Sequence, residues 1–309
     1  MVTPLILDCD PGHDDALAIL LAVADPAVDL LAVTTVAGNQ TVEKCTVNAR
    51  RVLSLAGVSD VPVARGADRP LVRRLRIADD VHGTTGLDGP AFTGEPSVPA
   101  SPYSAHELLV DVLRSRPATI VATGALTNVA RLLAEEPWLA RNITEIVWMG
   151  GSTDRGNIAP LAEANACVDP EAADLVVRSG VPFTMCGLNV THQALVTDDV
   201  LARLERIGTP LARVCGEWMT FFASTYRDLF GFEAPPLHDP VAVARVIDPA
   251  IVHCVEANLV IETKGEWTAG ATVVDLDGYT GRPPNARIAL TLDREAFWNR
   301  VVSAITTLG

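Results

Sequence analysis

Short apolar segments alternate with helical patterns over the first part of the chain. Each segment is almost continuously hydrophobic, which is typical of strands buried on both faces of a sheet. Turn residues and a helical pattern follow each one, so the sequence predicts β-α units and a parallel sheet covered by helices. We predict strands at residues 4–7, 30–36, 61–64, 119–122, 143–149 and 182–185, and helices at 15–24, 42–56, 105–114, 128–134 and 171–179.

Two regions, 65–104 and 189–240, are rich in Pro, Gly and aromatic residues and show no clear β-α alternation. We interpret them as insertions over the sheet edge. A final helix is predicted from Arg294, and the overall pattern indicates a doubly wound, mostly parallel α/β sheet flanked by helices, with residues 1–309 as a single domain. The closing part of the chain adds predicted strands at 255–261, 272–276 and 288–292.

The charge balance is acidic, because 38 Asp and Glu residues against 24 Lys and Arg give a formal net charge of −14. Nucleic acids and anionic membranes attract clustered Lys and Arg, so neither is expected as a partner. The apolar run at 16–24 is far shorter than the roughly 20 residues that span a bilayer. The N-terminal segment also lacks the basic region of a secretory signal, and we expect a soluble, cytoplasmic protein.

The first predicted strand is followed at once by an acidic segment, DCDPGHDD at residues 8–15. Its four carboxylates repel one another, and capping of the next helix accounts only for Asp14 or Asp15. Asp8 and Asp10 lie on the strand side of the Pro-Gly turn and need a cation or shifted protonation. Oxygen ligands without a Cys/His cluster favour Ca²⁺ or Mg²⁺ over Zn²⁺. The spacing excludes an EF-hand loop.

Polar residues also follow the ends of other predicted strands, where ligands bind in parallel α/β sheets. The loop GNIAPLAEAN offers further amides and a carboxylate that suit hydroxyl groups, although Asx turns explain the same residues equally well. An adjacent His238 and Asp239 are weak as a motif, because an aspartate there is also a common helix cap. The strand-end residues are Asn39, Thr123-Gly124, Gly150-Gly151 and Asn189, and the loop residues are Asn157, Glu163 and Asn165.

Other enzyme fingerprints are missing from the sequence. It contains no G-x-x-x-x-G-K-[ST] motif, no G-x-S-x-G motif and no correctly spaced dinucleotide-binding glycines. Nucleoside-triphosphate, serine-hydrolase and nicotinamide functions therefore lose their main support.

Seven segments in register resemble the inosine–uridine-preferring nucleoside hydrolase family. DCDPGHDDALAILL resembles the aspartate signature of that family, and LLAVTTVAGNQ, VHGTTGL, ATGALTN, VWMGG, GNIAPLAEAN and LHDPVAVA match its later motifs in order and spacing. The resemblance covers nearly the whole chain. It implies a doubly wound α/β fold, in agreement with the strand and helix pattern, and an enzyme that hydrolyses the N-glycosidic bond of ribonucleosides.

The resemblance also implies a role for each matching position. It places a Ca²⁺ ion on the carboxylates of Asp10, Asp15 and Asp239 and on the backbone carbonyl of Thr123. Asp8 would support the aspartates from behind, and Asp10 would accept a proton from a calcium-bound water that attacks the anomeric carbon. The residues implied to hold the ribose hydroxyls are Asp14, Asn39, Asn157, Glu163, Asn165 and Asp239.

At the base end of the implied pocket, His238 matches a residue that serves the leaving base as a general acid. This favours broad, inosine- and uridine-type substrates. His82 matches a pocket-lining histidine near the base and the 5′ side. The family resemblance also implies a homotetramer or homodimer.

Three departures from the family pattern affect this end of the pocket. His13 replaces a usually apolar residue, and either tunes the carboxylates or faces solvent or an interface. Ala164 replaces an often aromatic residue, so less stacking is expected on that side. Phe221, Phe222, Tyr226 and Phe230 have helix-like spacing and either stack on the base, with Tyr226 as a further proton donor, or pack in the core.

Two other functions stay open from the sequence. A Mg²⁺-dependent phosphohydrolase would need a Lys or Arg that grips phosphate, whereas residues 1–49 contain Lys44 as their one basic side chain. A non-catalytic relative that binds ribose or calcium would be expected to have lost His238 or Asp10, and both are present.

Overall fold

A nine-stranded sheet forms the centre of the protein, which a computed structural model describes over residues 2–309. Its strands in chain order are β1 (Thr3–Cys9), β2 (Val28–Thr35), β3 (Val63–Arg65), β4 (Ala118–Ala122), β5 (Ile143–Met149), β6 (Phe183–Cys186), β7 (Val252–Ile261), β8 (Thr272–Asp275) and β9 (Ala286–Leu292). Their spatial order is β3-β2-β1-β4-β5-β6-β9-β7-β8. Strands β1 to β6 and β9 pair in parallel, and β7 is antiparallel to its two neighbours.

Helices cover both faces of this sheet. In chain order they are α1 (His13–Ala24), α2 (Val42–Leu55), α3 (Asp79–His82), α4 (Ala105–Ser115), α5 (Thr127–Glu135), α6 (Ala164–Val168), α7 (Pro170–Val177), α8 (Leu188–Thr191), α9 (Asp198–Ile207), α10 (Pro210–Phe230), α11 (Asp239–Ile247) and α12 (Arg294–Leu308), with a 3₁₀ helix at Pro137–Asn142.

Strand β1 shows why the sheet is buried on both faces. Leu5 and Leu7 face one apolar cluster, built with residues of α1, α2, α10, α11 and α12, whereas Ile6 between them faces a second cluster built with α4, α5 and α7. The side chains of a strand alternate between faces, so a strand between two cores must be apolar at every position. The predicted fold class, a doubly wound and mostly parallel α/β sheet, is confirmed.

The position of β1 also fixes where a ligand can bind. It lies between β2, the next strand of the chain, and β4. The strand order therefore reverses at β1, and the crevice at such a switch point, outside the carboxyl ends of the strands, is where doubly wound sheets bind ligands.

Residues 189–240 contain no strand, as their lack of β-α alternation predicted, but the interpretation that they lie over the sheet edge is wrong, because their apolar side chains join the core. Most of this region is helical, and its longest element, α10, packs against α1, α3, α9 and α12. Thr209 caps the start of α10, because its hydroxyl accepts a hydrogen bond from the Ala212 backbone N–H, and Pro210 lies in the first turn. Gly231, in a left-handed conformation, caps the other end. Among residues 2–309, no helix combines the length and apolar character that crossing a bilayer requires.

Candidate functional site

A cavity of about 220 Å³ opens at the carboxyl ends of the parallel strands. Most of the residues that the sequence analysis selected meet here, although they come from widely separated parts of the chain. Asn189 does not: its side-chain amide donates to the Ala289 carbonyl oxygen at 2.8 Å. The selected residues that line the cavity are Asp14, Asn39, His82, Thr123, Asn157, Glu163, Ala164, Asn165, Tyr226, Phe230, His238 and Asp239.

A carboxylate cluster forms one side of this cavity. Asp14, Asp15 and Asp239 are buried, and each offers an oxygen within 4.8 Å of the others. Burial, and then the charges of Asp14, Asp15 and Asp10, raise the pKa of Asp239 well above its ordinary value. Burial, and then the charge of Asp15, raise the pKa of Asp14 to about 7. Holding these groups ionised together is therefore costly without a counter-charge.

Asp10 lies beside this cluster, at the end of β1, and lines a neighbouring cavity of about 410 Å³. Its Oδ2 accepts a hydrogen bond of 2.7 Å from the Asn39 backbone N–H, and its buried Oδ1 has no hydrogen-bond partner among residues 2–309. Burial, and then the charge of Asp15, raise the pKa of Asp10 well above its usual range. Gly38 and Gly124 lie against the carboxylate, where any side chain would overlap it.

Asp15 and Thr123 join the ends of two strands. The Asp15 carboxylate accepts hydrogen bonds from the Gly12 backbone N–H at 3.0 Å, the Asn39 side-chain amide at 3.0 Å and the Thr123 hydroxyl at 2.7 Å. The contact with Gly12 shows that Asp15 also caps α1, as the capping alternative expected. The Thr123 carbonyl accepts a hydrogen bond of 2.8 Å from the Asn165 side chain.

The donor set fits a divalent cation. All the groups are hard oxygen ligands, and one oxygen of Asp10 and one of Asp14 are buried without a hydrogen-bond partner in the described part of the chain. No ion pair within residues 2–309 involves these carboxylates. Asp14, which the resemblance assigned to the ribose hydroxyls, also shares the carboxylate cluster with Asp15 and Asp239.

Asp8 makes its side-chain contacts outside the cluster. Its Oδ1 accepts hydrogen bonds from the Thr34 hydroxyl at 2.6 Å and the Asn128 side-chain amide at 2.7 Å. Burial raises its pKa to about 6. Its link to the site runs through the backbone, since the Asp8 carbonyl accepts a 2.8 Å hydrogen bond from the Thr123 N–H.

Two side-chain amides, Asn157 in the loop before α6 and Asn165 in its first turn, each keep one polar group free for a ligand. The Asn165 side-chain N–H groups donate to the carbonyls of Thr123 and Met149, at 2.8 and 3.0 Å, which leaves its Oδ1 as an acceptor. The Asn157 Oδ1 accepts from the Ala164 backbone N–H at 2.9 Å, which leaves its Nδ2 as a donor. The site therefore offers both an acceptor and a donor to hydroxyl groups.

Glu163 is the N-cap of α6. Its carboxylate accepts hydrogen bonds from the backbone N–H groups of Gly151, Asn165 and Ala166, at 2.8 to 3.1 Å. Burial nevertheless raises its pKa to about 7. The Asn157 and Asn165 side chains do not make the Asx turns that were the alternative explanation, since Asn157 accepts from Ala164 and Asn165 donates to Thr123 and Met149. The contacts of Glu163 are structural, and all three residues also line the cavity.

His238 and Tyr226 form a hydrogen-bonded pair that also lines the cavity. The Tyr226 hydroxyl lies 2.8 Å from His238 Nε2, and the Thr191 hydroxyl lies 2.7 Å from His238 Nδ1. Burial, and then the charge of His192, lower the pKa of His238 to about 3. The ring is therefore neutral near pH 7. Thr191 was missed by sequence reasoning, and nothing in its local sequence distinguishes it as a ring partner.

The aromatic residues of α10 contribute unequally to this end. Tyr226, Leu229 and Phe230 line the cavity, whereas Phe222 is fully buried and packs against Tyr226 with ring centroids 4.5 Å apart. The core-packing alternative therefore holds for Phe222, whereas Tyr226 and Phe230 lie where they could contact a ligand in the cavity.

Three arginines from a later part of the chain lie near the aspartates. Arg73, Arg74 and Arg76 line the 410 Å³ cavity beside Asp10, so basic side chains lie near the aspartates although residues 1–49 contain only Lys44. Arg73 is committed to Glu171 at 2.8 Å and to the Thr263 carbonyl at 2.9 Å. The basic residues near the aspartates in the sequence therefore did not predict which basic side chains lie near them in the fold.

The fold and the sequence both place the chain among the nucleoside hydrolases. A purine-preferring ribonucleoside hydrolase from Gardnerella vaginalis superposes with a TM-score of 0.92 at 30% identity, covering 99% of both chains. The plant nucleoside hydrolase PpNRh1 gives a TM-score of 0.91 at 33% identity, again over 99% of both chains. The sequence agrees, since the pyrimidine-specific ribonucleoside hydrolase RihA of Shewanella woodyi is 49% identical over 310 residues, which cover 99% of each protein.

The family profile described as inosine-uridine preferring nucleoside hydrolase matches residues 5–299. The chain belongs to this family. The family resemblance stated from the sequence is confirmed, and with it the prediction that the protein is a nucleoside hydrolase, an enzyme that hydrolyses the N-glycosidic bond.

Proposed function

We propose that this enzyme hydrolyses pyrimidine ribonucleosides, with uridine as its preferred substrate, to ribose and free base with Ca²⁺ as cofactor. One observation carries the proposal: a buried carboxylate cluster and the Tyr226–His238 pair border the same cavity. The sequence favoured broad inosine and uridine use. The narrower preference rests on the pyrimidine-specific relative at 49% identity, because the solved relatives, one of them purine-preferring, are more distant.

The carboxylates of Asp10, Asp15 and Asp239 and the carbonyl of Thr123 would hold the cation, with Asp14 at the same cluster. A bound divalent cation supplies neutralising charge and lowers the pKa of a water molecule at the site. Oxygen-only ligands favour Ca²⁺ over a tetrahedral N/S-binding metal.

Asp10 is the residue to which we assign the proton of the attacking water. Its Oδ1 is free of hydrogen bonds, while its Oδ2 is held by the Asn39 N–H. The water oxygen forms a bond to the anomeric carbon, its proton passes to Asp10, and the electrons of the N-glycosidic bond leave with the base. A base with a raised pKa suits this transfer near neutral pH.

The ribose is held by groups whose hydrogen-bonding polarity is fixed. Asn165 accepts from a sugar hydroxyl and Asn157 donates to one, because their other polar atoms are already committed. Asp14, Asn39, Glu163 and Asp239 complete the polar lining. Contacts that strengthen as the ring flattens toward an oxocarbenium ion raise kcat and not only affinity.

Tyr226 and His238 stabilise the leaving base together. A ring with a pKa lowered to about 3 is not a standing imidazolium at pH 7, so the pair acts by hydrogen bonding. If the Thr191 O–H donates to Nδ1, then His238 Nε2–H donates to the Tyr226 oxygen, and the Tyr226 O–H is left for the departing base. His82 lines the same end of the pocket.

The test is release of reducing sugar from uridine, cytidine and inosine by the calcium-loaded enzyme. We expect uridine to give the highest kcat/KM and Asp10→Asn to abolish turnover. The matched control is Asp29→Asn, because Asp29 is exposed and remote from the cavity. The proposal fails if no ribose is released from any of the three, and the base preference fails if inosine is best.

Metal dependence is tested separately. Exhaustive chelation should inactivate the enzyme, and added Ca²⁺ should restore it. Full activity of protein in which elemental analysis detects no metal would remove the cation from the proposal, whatever the substrate.

A further inference from the structure

The 410 Å³ cavity beside Asp10 has a wall of arginines that the proposed reaction does not use. Arg73, Arg74 and Arg76 line it, and Asp10 is the one acidic residue among those that the described part of the chain contributes to its lining. The whole chain has 38 acidic and 24 basic residues, so three arginines within four positions on one cavity reverse its charge locally. This wall therefore favours an anion as its ligand.

Two of the three guanidinium groups are available to such a ligand. Arg73 is held by Glu171 at 2.8 Å and by the Thr263 carbonyl at 2.9 Å, so its charge already has a partner. Arg74 and Arg76 make no ion pair and no side-chain hydrogen bond within residues 2–309. The planar guanidinium group, with several donors in a fixed arrangement, matches the oxygens of a phosphate group.

The segment that carries these arginines is fixed at both ends. At its start the Leu71 backbone N–H donates to the buried Asp169 carboxylate at 2.8 Å, and at its end the Ala78 backbone N–H donates to the Gly38 carbonyl at 3.2 Å. The ion pair of Arg73 adds a third attachment. The two unpaired arginines lie between these attachments, so a ligand has to order only their side chains and not the backbone beneath them.

The arginine-lined cavity also adjoins the cavity that we propose for the nucleoside. The lining residues that the two cavities share are Asn39, Ala78, Ile158, Ala164 and Asn165. Asn39 and Asn165 are among the residues that we assign to the ribose hydroxyls. Tyr226 and His238, which we assign to the base, line only the first cavity. A group bound at the arginine wall therefore neighbours the sugar and not the base.

We propose that Arg74 and Arg76 form a binding site for a phosphate group next to the ribose site. A phosphate group offers three acceptor oxygens, which is enough for both guanidinium groups. It is either carried on a sugar hydroxyl, as in a nucleoside monophosphate, or bound as a free ion beside the sugar. For a nucleoside monophosphate the reaction is unchanged: water adds at the anomeric carbon, and the base and ribose phosphate are released. The position next to the ribose rests on the proposed function, whereas the binding of phosphate does not.

Binding is tested by isothermal titration calorimetry of inorganic phosphate into the calcium-loaded enzyme, freed of excess Ca²⁺, with potassium chloride holding the ionic strength constant. We expect Kd to rise by at least about tenfold in Arg74→Gln/Arg76→Gln, because the variant loses charge-assisted hydrogen bonds. The matched control is Arg213→Gln/Arg282→Gln, which removes the same charge from exposed positions that line neither cavity. This control should bind phosphate as the parent does.

The source of the phosphate is tested by release of free base from uridine, uridine 5′-monophosphate and uridine 3′-monophosphate. If the sugar carries the phosphate, at least one nucleotide is hydrolysed, and the ratio of its kcat/KM to that of uridine falls by at least about tenfold in Arg74→Gln/Arg76→Gln. The ratio cancels any general effect of the variant on turnover. If the phosphate is a free ion, the ratio is unchanged and the binding of inorganic phosphate alone depends on the two arginines.

The proposal is overturned if Arg74→Gln/Arg76→Gln, with the melting temperature of the parent, matches it in both measurements. Equal binding of inorganic phosphate together with an unchanged nucleotide ratio would place the phosphate on the cation instead. An enzyme that binds phosphate through the two arginines but releases no base from any of the three substrates would contradict the proposed function and leave the phosphate site standing.

Discussion

Asp10 and Asp14 each keep one buried carboxylate oxygen without a hydrogen-bond partner among the described residues. Buried polar atoms are rarely left in this state, because the lost hydration costs about 1–3 kcal/mol per group and more for a charge. The cost is tolerable at a site where a cation supplies the missing contacts. At the scale of single residues, these unpartnered oxygens therefore destabilise the metal-free fold, and the same oxygens are available to the proposed cation and to the attacking water.

Asp10→Asn should show this conflict directly. The amide retains an oxygen for the Asn39 N–H but removes a group that burial and Asp15 keep from ionising. We expect the chelated variant at pH 8 to melt a few degrees above the chelated parent, although it is inactive. Differential scanning calorimetry of both proteins checks this. A lower melting temperature in the variant would show that the Asp10 carboxylate stabilises the fold.

Tyr226→Phe and His238→Ala test the leaving-base proposal. Natural nucleosides release a poor anion, and a positioned acid or donor typically contributes about 10²–10⁴-fold. Nitrophenyl riboside needs no such help but still needs Asp10, the cation and the ribose contacts. Both variants should lose about 10²-fold or more of kcat on uridine and change little on nitrophenyl riboside. Equal losses on the two substrates would instead give His238 a role in holding Asp239 or the ribose.

At the scale of helices and strands, local sequence patterns predicted most of the elements of the parallel sheet and its covering helices. The predicted strand at 143–149 has the observed bounds of β5, and the other strand and helix ends differ from the structure by at most a few residues. The helix-like spacing of the aromatic residues from Phe221 to Phe230 indicated the end of α10, but no helix of its full length was predicted. Pro210 and Gly231 mark its two ends, because Pro is favoured in the first helical turn and Gly just beyond the last.

Two glycines show how an element constrains the site. Gly38 follows β2 where a Cβ would overlap Asp10 Oδ2, so Gly38→Ala should displace that carboxylate and reduce kcat by at least tenfold. Gly216 lies inside α10 with open space around it, so Gly216→Ala should leave kcat unchanged and stabilise the protein by about 0.5–1 kcal/mol. Urea unfolding and uridine kinetics of the two variants check both expectations. Full activity in Gly38→Ala would show that Asp10 tolerates displacement.

At the scale of the whole molecule, the site depends on contacts that no local pattern specifies. Asp10 directly follows β1, Thr123 directly follows β4 and Asp239 begins α11, and they meet because β1 lies at the switch point of the sheet. The general rule for such sheets, together with the family resemblance, was enough to predict which residues meet. Neither could predict the hydrogen bond between Thr191 and His238 or the one between the Asp88 carbonyl and His13, because tertiary packing alone brings these partners together.

The whole molecule should also respond to pH through this cluster. Burial raises the pKa of Asp14 and Glu163 to about 7, against ordinary values near 4 in the unfolded chain. Between these values the metal-free native state holds protons that the unfolded state has released. The protons on these two groups therefore stabilise the metal-free fold fully below about pH 4, and this stabilisation is lost as pH rises to about 7.

A cation binds the ionised form and so competes with these protons. The increase in melting temperature that Ca²⁺ produces over chelated protein should therefore be larger at pH 8 than at pH 5. Comparing loaded with chelated protein at each pH cancels the titration of carboxylates elsewhere on the surface. Asp239→Asn removes one carboxylate of the cluster, so Ca²⁺ should raise the melting temperature of this variant less. The reduction should be larger at pH 8 than at pH 5. An equal effect of Ca²⁺ at both values would mean that the ion binds outside this cluster.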